Sequence, residues 1–134
     1  MVRLEIAALY AGVNILILLV LGALVVRARI THKIALGNEG HKDMLRWVRA
    51  HANAAEYIPA GLVGLLILAL LDPAAPAWTL HAGGISLTAG RILHGVGLHT
   101  GVLNIGRRLG MVLTFAAYAI IGVALIYAGL AKQL

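Results

Sequence analysis

The sequence predicts an all-α integral membrane protein, a bundle of four transmembrane helices that run up, down, up and down. Three observations lead there. Of the 134 residues, 61% are hydrophobic and only 12% charged, and the mean hydropathy is +0.93, which is too apolar for a soluble domain. The apolar residues gather in four runs at about 4–26, 40–71, 76–98 and 107–131, each holding a segment long enough to cross a hydrocarbon core of about 30 Å. The charges separate by connection: Arg27, Arg29, Lys33, Lys42, Arg46, Arg107 and Arg108 fall in or beside the first and third, and Asp72 stands in the second. The positive-inside rule then places the basic connections in the cytoplasm and both termini outside it. The expected localisation is a membrane crossed several times, with the whole chain, 1–134, forming one domain.

Several function classes drop out at this point. With no cysteine, the chain has no disulfide, no thiolate metal site and no cysteine nucleophile. The net charge of +6 is accounted for by residues flanking apolar runs, so no nucleic-acid partner is expected. The six histidines form no metal pattern with adjacent carboxylates and no His-x-x-x-His pair on an apolar helix, so no metal is expected.

The first run, Leu4 to Val26, is broken only by Glu5 and Asn14, and Arg27-Ala28-Arg29 follows it directly. A signal peptide would carry its basic residues before a shorter apolar core, so this is a retained helix. Tyr10 and Asn14, four residues apart, face a partner helix. From Arg27 to about Arg46 the composition turns polar, with Gly37-Asn38-Glu39-Gly40 as the loop signal. Met44, Trp47, Val48 and His51 then fall at i, i+3, i+4 and i+7, which starts the second helix near residue 40. At 1.5 Å per residue it is about 48 Å long, so its first turns project from the membrane. Pro59 interrupts it and frees the carbonyl of Ala55. Asp72 to Pro76 form a turn. In the third run, Ala77 to Leu98, the small residues Ala82, Ser86 and Gly90 at four-residue spacing admit a close neighbour. The fourth, Leu109 to Ala131, carries Tyr118 and Tyr127 but no charge.

The candidate site lies at the mouth of the second run. Arg49, Asn53 and Glu56 stand at i, i+4 and i+7, sharing one stripe, with Tyr57 beside them. Ionisable groups inside an apolar helix cost roughly 2.5 to 3.5 kcal/mol each, and they usually face a bundle interior or a wet cavity. Arg91 lies about two turns before the end of the third helix, much as Glu56 lies about two turns beyond Arg49. The spacing therefore predicts that Glu56 and Arg91 meet at one depth, as a site or as a packing ion pair. His94 continues the polar face of the third helix, and Arg107 and Arg108 stand where the fourth re-enters the membrane.

Arg49-x-x-x-Asn53-x-x-Glu56-Tyr57-x-Pro59, followed by Gly90-Arg91-Ile92-Leu93-His94 and Arg107, resembles the MAPEG family, the membrane-associated proteins in eicosanoid and glutathione metabolism. The likeness covers essentially the whole chain and is strongest to short bacterial members, which implies a bacterial inner membrane as the chain's location. It implies a homotrimer that binds glutathione between subunits near the cytoplasmic face, as co-substrate for a lipophilic small molecule or lipid. By this resemblance Arg49 would bind a glutathione carboxylate, Asn53 its backbone and Glu56 its amino group. Tyr57, Arg91 and His94 would line the substrate site, and Arg27 would bind a carboxylate from the end of the first helix. Arg107 would stand beside the thiol as the catalytic residue. The implied reaction is a transfer in which the thiolate attacks an electrophile dissolved in the bilayer. Two other readings stand beside it: a non-catalytic relative that binds glutathione or a lipid, and a small four-helix exporter. An exporter of that kind relies on an embedded glutamate in its first helix, whereas Glu5 stands at the extreme start. Eicosanoid-making members carry a tyrosine four residues beyond the position of His94, where this chain has Leu98.

Overall fold

A computed structural model describes residues 2–71, 76–100 and 104–131. Among them are four helices: α1 (Val2–His32), α2 (Lys42–Leu70), α3 (Trp78–Thr100) and α4 (Ile105–Ala131). Most of the turn expected over Asp72 to Pro76 lies outside the described residues.

The helices alternate in direction, as expected. Arg3 at the start of α1 donates from Nη2 to the carbonyl of Leu68 at the end of α2, at 3.3 Å, while Ala28 packs near Met44 at their other ends. Gly61 faces Leu87 and Gly83 faces both Leu65 and Ile121, so α3 runs against α2 and α4. In cross-section α2 and α3 occupy the middle, each touching the other three helices, and α1 stays apart from α4. By length and composition α1, α2 and α4 qualify as membrane spans. The 23 residues of α3 reach about 34 Å, enough to match them. Its glycines, histidines and Arg91 make it less apolar, which its central position tolerates because more of its surface meets protein than lipid.

The first helix continues past Val26 to His32, beyond its expected end. No helix breaker stands in that stretch, Ala28 is buried, and Arg29 and His32 lie in the last turn, where basic groups favour the helix dipole. The stop comes at Lys33, with φ of 56°. Lys33 N–H donates to the Ile30 carbonyl at 3.3 Å and Ile34 N–H to the Arg29 carbonyl at 3.1 Å, the pair of bonds that closes a Schellman turn. Such a turn usually takes glycine. Here Ile34, 2% exposed, holds it by packing into the cluster with Ala28 and Met44.

The second helix begins at Lys42, close to expectation, and passes through Pro59 without ending. The fourth begins at Ile105, two residues earlier than expected, because Asn104 caps it: the Arg107 N–H donates to Asn104 Oδ1 at 3.0 Å. Tyr10 and Asn14 do face a neighbour, and it is α3. The Tyr10 hydroxyl is hydrogen-bonded to His81 Nδ1 at 2.9 Å, and Asn14 Nδ2 donates to Thr88 Oγ1 at 2.8 Å. The stripe of small residues on α3 serves packing within the subunit. Ser86 donates to the Leu113 carbonyl at 2.7 Å, and a Cβ on Gly90 would lie 2.9 Å from the Gly110 carbonyl oxygen, so α3 and α4 pack closely here.

Candidate functional site

At the basic end of the bundle α2, α3 and α4 enclose a cavity of about 350 Å³, lined by Leu45, Arg46, Arg49, Asn53, His94, Leu98 and Arg107. Each helix delivers its residues by its own period. Arg46, Arg49 and Asn53 stand at i, i+3 and i+7 on α2, and His94 and Leu98 one turn apart on α3. Arg107 arrives one turn into α4, held there by the Asn104 cap and by Gly97, whose lack of a side chain leaves room for the Arg107 backbone. Its neighbour Arg108 is exposed on the outer side. The described residues that line this space include three guanidinium groups and no carboxylate; Arg46 is paired with Asp43 outside it at 3.2 Å, and the remaining cationic lining suits an anion.

Behind the cavity lies Arg91, 1% exposed. Its Nη1 donates to Asn53 Oδ1 at 2.6 Å. Its Nη2 donates to Thr114 Oγ1 and, at 3.4 Å, to the Gly110 carbonyl. The Tyr57 ring lies against the guanidinium, with Cζ 5.1 Å from the ring centroid, a cation–π distance. Tyr57 is itself packed by Phe115 and Tyr118, and the Tyr118 hydroxyl donates to the Tyr57 carbonyl at 2.7 Å.

The structure thus gathers Arg49, Asn53, His94 and Arg107 around one cavity and places Arg91 and Tyr57 just behind it. The expected meeting of Glu56 with Arg91 does not occur within the chain. Glu56 is exposed, and Arg91 is answered by neutral acceptors from Asn53, Thr114 and Gly110. Glu56 stands only about 60° around the helix from Asn53, but that rotation carries it to the exposed side of α2, whereas Arg91 comes in against Asn53. Arg27 also stands elsewhere, in a second cavity of about 330 Å³ between α1, α2 and α3, together with Thr31, His32, Asp43, Trp47 and His99. Trp47 and His99 stack there with ring centroids 4.4 Å apart.

Arg46 and Thr114 were not among the expected site residues, although each left a signal. Arg46 precedes Arg49 by three residues and so shares its face. Thr114 is a hydroxyl within an apolar run, one turn beyond Gly110. Leu98 lines the cavity and brings no hydroxyl to it.

The MAPEG family model matches residues 7–127. The chain is 37% identical over 112 residues to the inner membrane protein YecN of Escherichia coli K12, covering 84% of this chain and 83% of that protein. The protein of that name from the O6:H1 strain CFT073 matches to the same extent.

Proposed function

Because this chain belongs to the MAPEG family and is a bacterial inner-membrane protein, we propose that it is a membrane-embedded glutathione-dependent transferase. The observation that supports this most is the cavity at the basic end, where Arg46, Arg49, Asn53 and Arg107 converge with no carboxylate among them. Glutathione carries two carboxylates, and arginine binds a carboxylate through two parallel hydrogen bonds. Arg49 and Asn53 hold the tripeptide in this reading, and Arg107 faces its sulfur. His94 completes the wall, with Arg91 and Tyr57 supporting from behind.

A guanidinium beside the sulfur favours thiolate over thiol. Lowering a thiol pKa from about 8.5 to about 6.5 takes roughly 2.7 kcal/mol, within reach of one poorly hydrated cation. The thiol proton leaves to solvent at the cytoplasmic end. The sulfur lone pair then forms a bond to an electrophilic carbon of a lipophilic molecule from the bilayer, and that carbon's leaving group or conjugated acceptor takes up the displaced electron pair.

The proposed assembly is a homotrimer. Glu56 is an exposed carboxylate on a membrane helix, and such a group is costly against lipid. In the trimer a neighbouring copy covers that face, leaving Glu56 for the glutathione ammonium and bringing Arg27 to a carboxylate. Crosslinking in mild detergent should give a ladder ending at trimer, and one ending at dimer would remove this part of the reading.

The activity is tested by adding glutathione to the purified protein and recording ultraviolet thiolate absorbance, then offering a panel of apolar electrophiles. Absorbance with conjugation supports the transferase. The cavity position of Leu98, with no hydroxyl to offer the sulfur, favours one alternative, a relative that binds glutathione or a lipid without turnover. Glutathione binding with neither thiolate nor product would establish that alternative.

A further inference from the structure

Arg91 sits behind the cavity with no carboxylate in ion-pair range among the described residues. Its hydrogen bonds go to neutral acceptors, among them the 2.6 Å bond from Nη1 to Asn53 Oδ1. A guanidinium can only donate. The amide oxygen of Asn53 must therefore be the atom turned toward Arg91. The two N–H bonds of Asn53 Nδ2 point away from Arg91, and Asn53 lines the cavity. No acceptor among the described residues takes them.

We infer that Arg91 is a positioning residue: by capturing the amide oxygen of Asn53 it turns that side chain into a pure donor and makes the cavity selective for a carboxylate or similar anion. An unrestrained asparagine could offer its oxygen or its nitrogen and would accept a neutral donor equally well. Held by Arg91, it joins Arg46, Arg49 and Arg107 in a lining rich in donors, which leaves a ligand with its own N–H or O–H groups poorly served. Thr114 and the Gly110 carbonyl keep the guanidinium in place from α4, so the amide's orientation depends on the α3–α4 contact as well as on α2. The inference refines the proposed glutathione site and relies on that reading only for one of its probes.

The test is a double-mutant cycle on the full chain in lipid nanodiscs. Binding is measured by calorimetry with glutathione and with glutarate, a dicarboxylate lacking thiol and amide. Asn53→Ala should weaken both at least about tenfold, the scale of one hydrogen bond to a charged group. Arg91→Leu should do the same alone and add nothing in the Asn53→Ala background, because its effect passes through the amide. Losses that multiply would show that Arg91 acts by its charge on the ligand directly, and would overturn the inference. Asn53→Asp covers the case in which Arg91→Leu fails to fold. It gives Arg91 an ionic partner, so Tm should hold or rise while anion affinity falls at least about tenfold. Wild-type affinity in Asn53→Asp would equally overturn the inference. If glutarate binds with this pattern and glutathione does not, the glutathione reading fails and the role of Arg91 stands. If neither binds the wild-type protein, both fail.

Discussion

Gly97 on α3 lies directly against the backbone nitrogen of Arg107 on α4, in the space where any other residue would place its Cβ. Through this contact the α3–α4 junction fixes where the fourth helix starts, and hence where the Arg107 side chain enters the cavity. Gly97→Ala should push the first turn of α4 outward. The neighbouring atoms are backbone and cannot swing aside, so the cost should be about 1–3 kcal/mol. Loss of conjugation should exceed what the fall in folded protein explains. Thermal unfolding together with the rate per folded molecule checks this, and an unchanged rate with an unchanged Tm would contradict the contact.

Arg107 and Arg108 form an internal comparison, since they are adjacent in sequence but only the first lines the cavity. Arg107→Ala should lower the conjugation rate at least about tenfold, equivalent to about 1.4 kcal/mol in the barrier, with glutathione affinity little changed. Arg108→Ala should leave the rate near wild type. The reverse pattern would move the catalytic role to Arg108, and no effect from either would count against the thiolate mechanism.

Glu56 and Arg91 do not form a pair within the chain, so Arg91→Leu strands no carboxylate. Its cost is confined to acceptors on Asn53, Gly110 and Thr114 left without their donor, about 1–3 kcal/mol. Adding Glu56→Gln should recover none of it, the two effects summing within roughly 0.5 kcal/mol. Recovery in the double variant, read by Tm, would mean that the two residues do interact in the assembled protein.

Gly110 and Gly122 stand on the same helix in opposite surroundings. A Cβ on Gly110 would press on the backbone of His94 and Gly90, whereas one on Gly122 meets nothing within 4 Å. Gly110→Ala should therefore destabilise by about 1–3 kcal/mol and separate α3 from α4. Gly122→Ala should be neutral or gain up to about 1 kcal/mol from higher helix propensity. Equal shifts in Tm for the two would argue against this α3–α4 crossing.

While His94 and Arg107 entered the site through the family resemblance, the number of helices, their alternating direction and the shared face of Arg49 and Asn53 were all legible from the sequence. They follow from local rules: an apolar run must be helical to satisfy its backbone in lipid, basic residues mark its ends, and residues three, four or seven apart share a face. The end of α1 was not legible in the same way, because the turn at Lys33 is held by Ile34 packing onto Met44, ten residues further along and in the next helix. Nor was the partner of Arg91. Spacing along a helix gives depth in the membrane, which correctly set Arg91 near the level of the second-helix stripe. Rotation about the helix axis decides which residue at that level is met, and close contact through Gly90 and Gly110 turned Arg91 toward Asn53 and Thr114 and away from Glu56. Arg27 was likewise separated from Arg49 by tertiary packing, since α1 approaches the bundle from the side opposite α4. The sequence by itself determined which residues are helical, how deep each lies and which charges must avoid lipid. Only the tertiary structure decided which of those charges share a cavity, because that depends on how closely backbones approach at a few glycines, a distance no one-dimensional period contains.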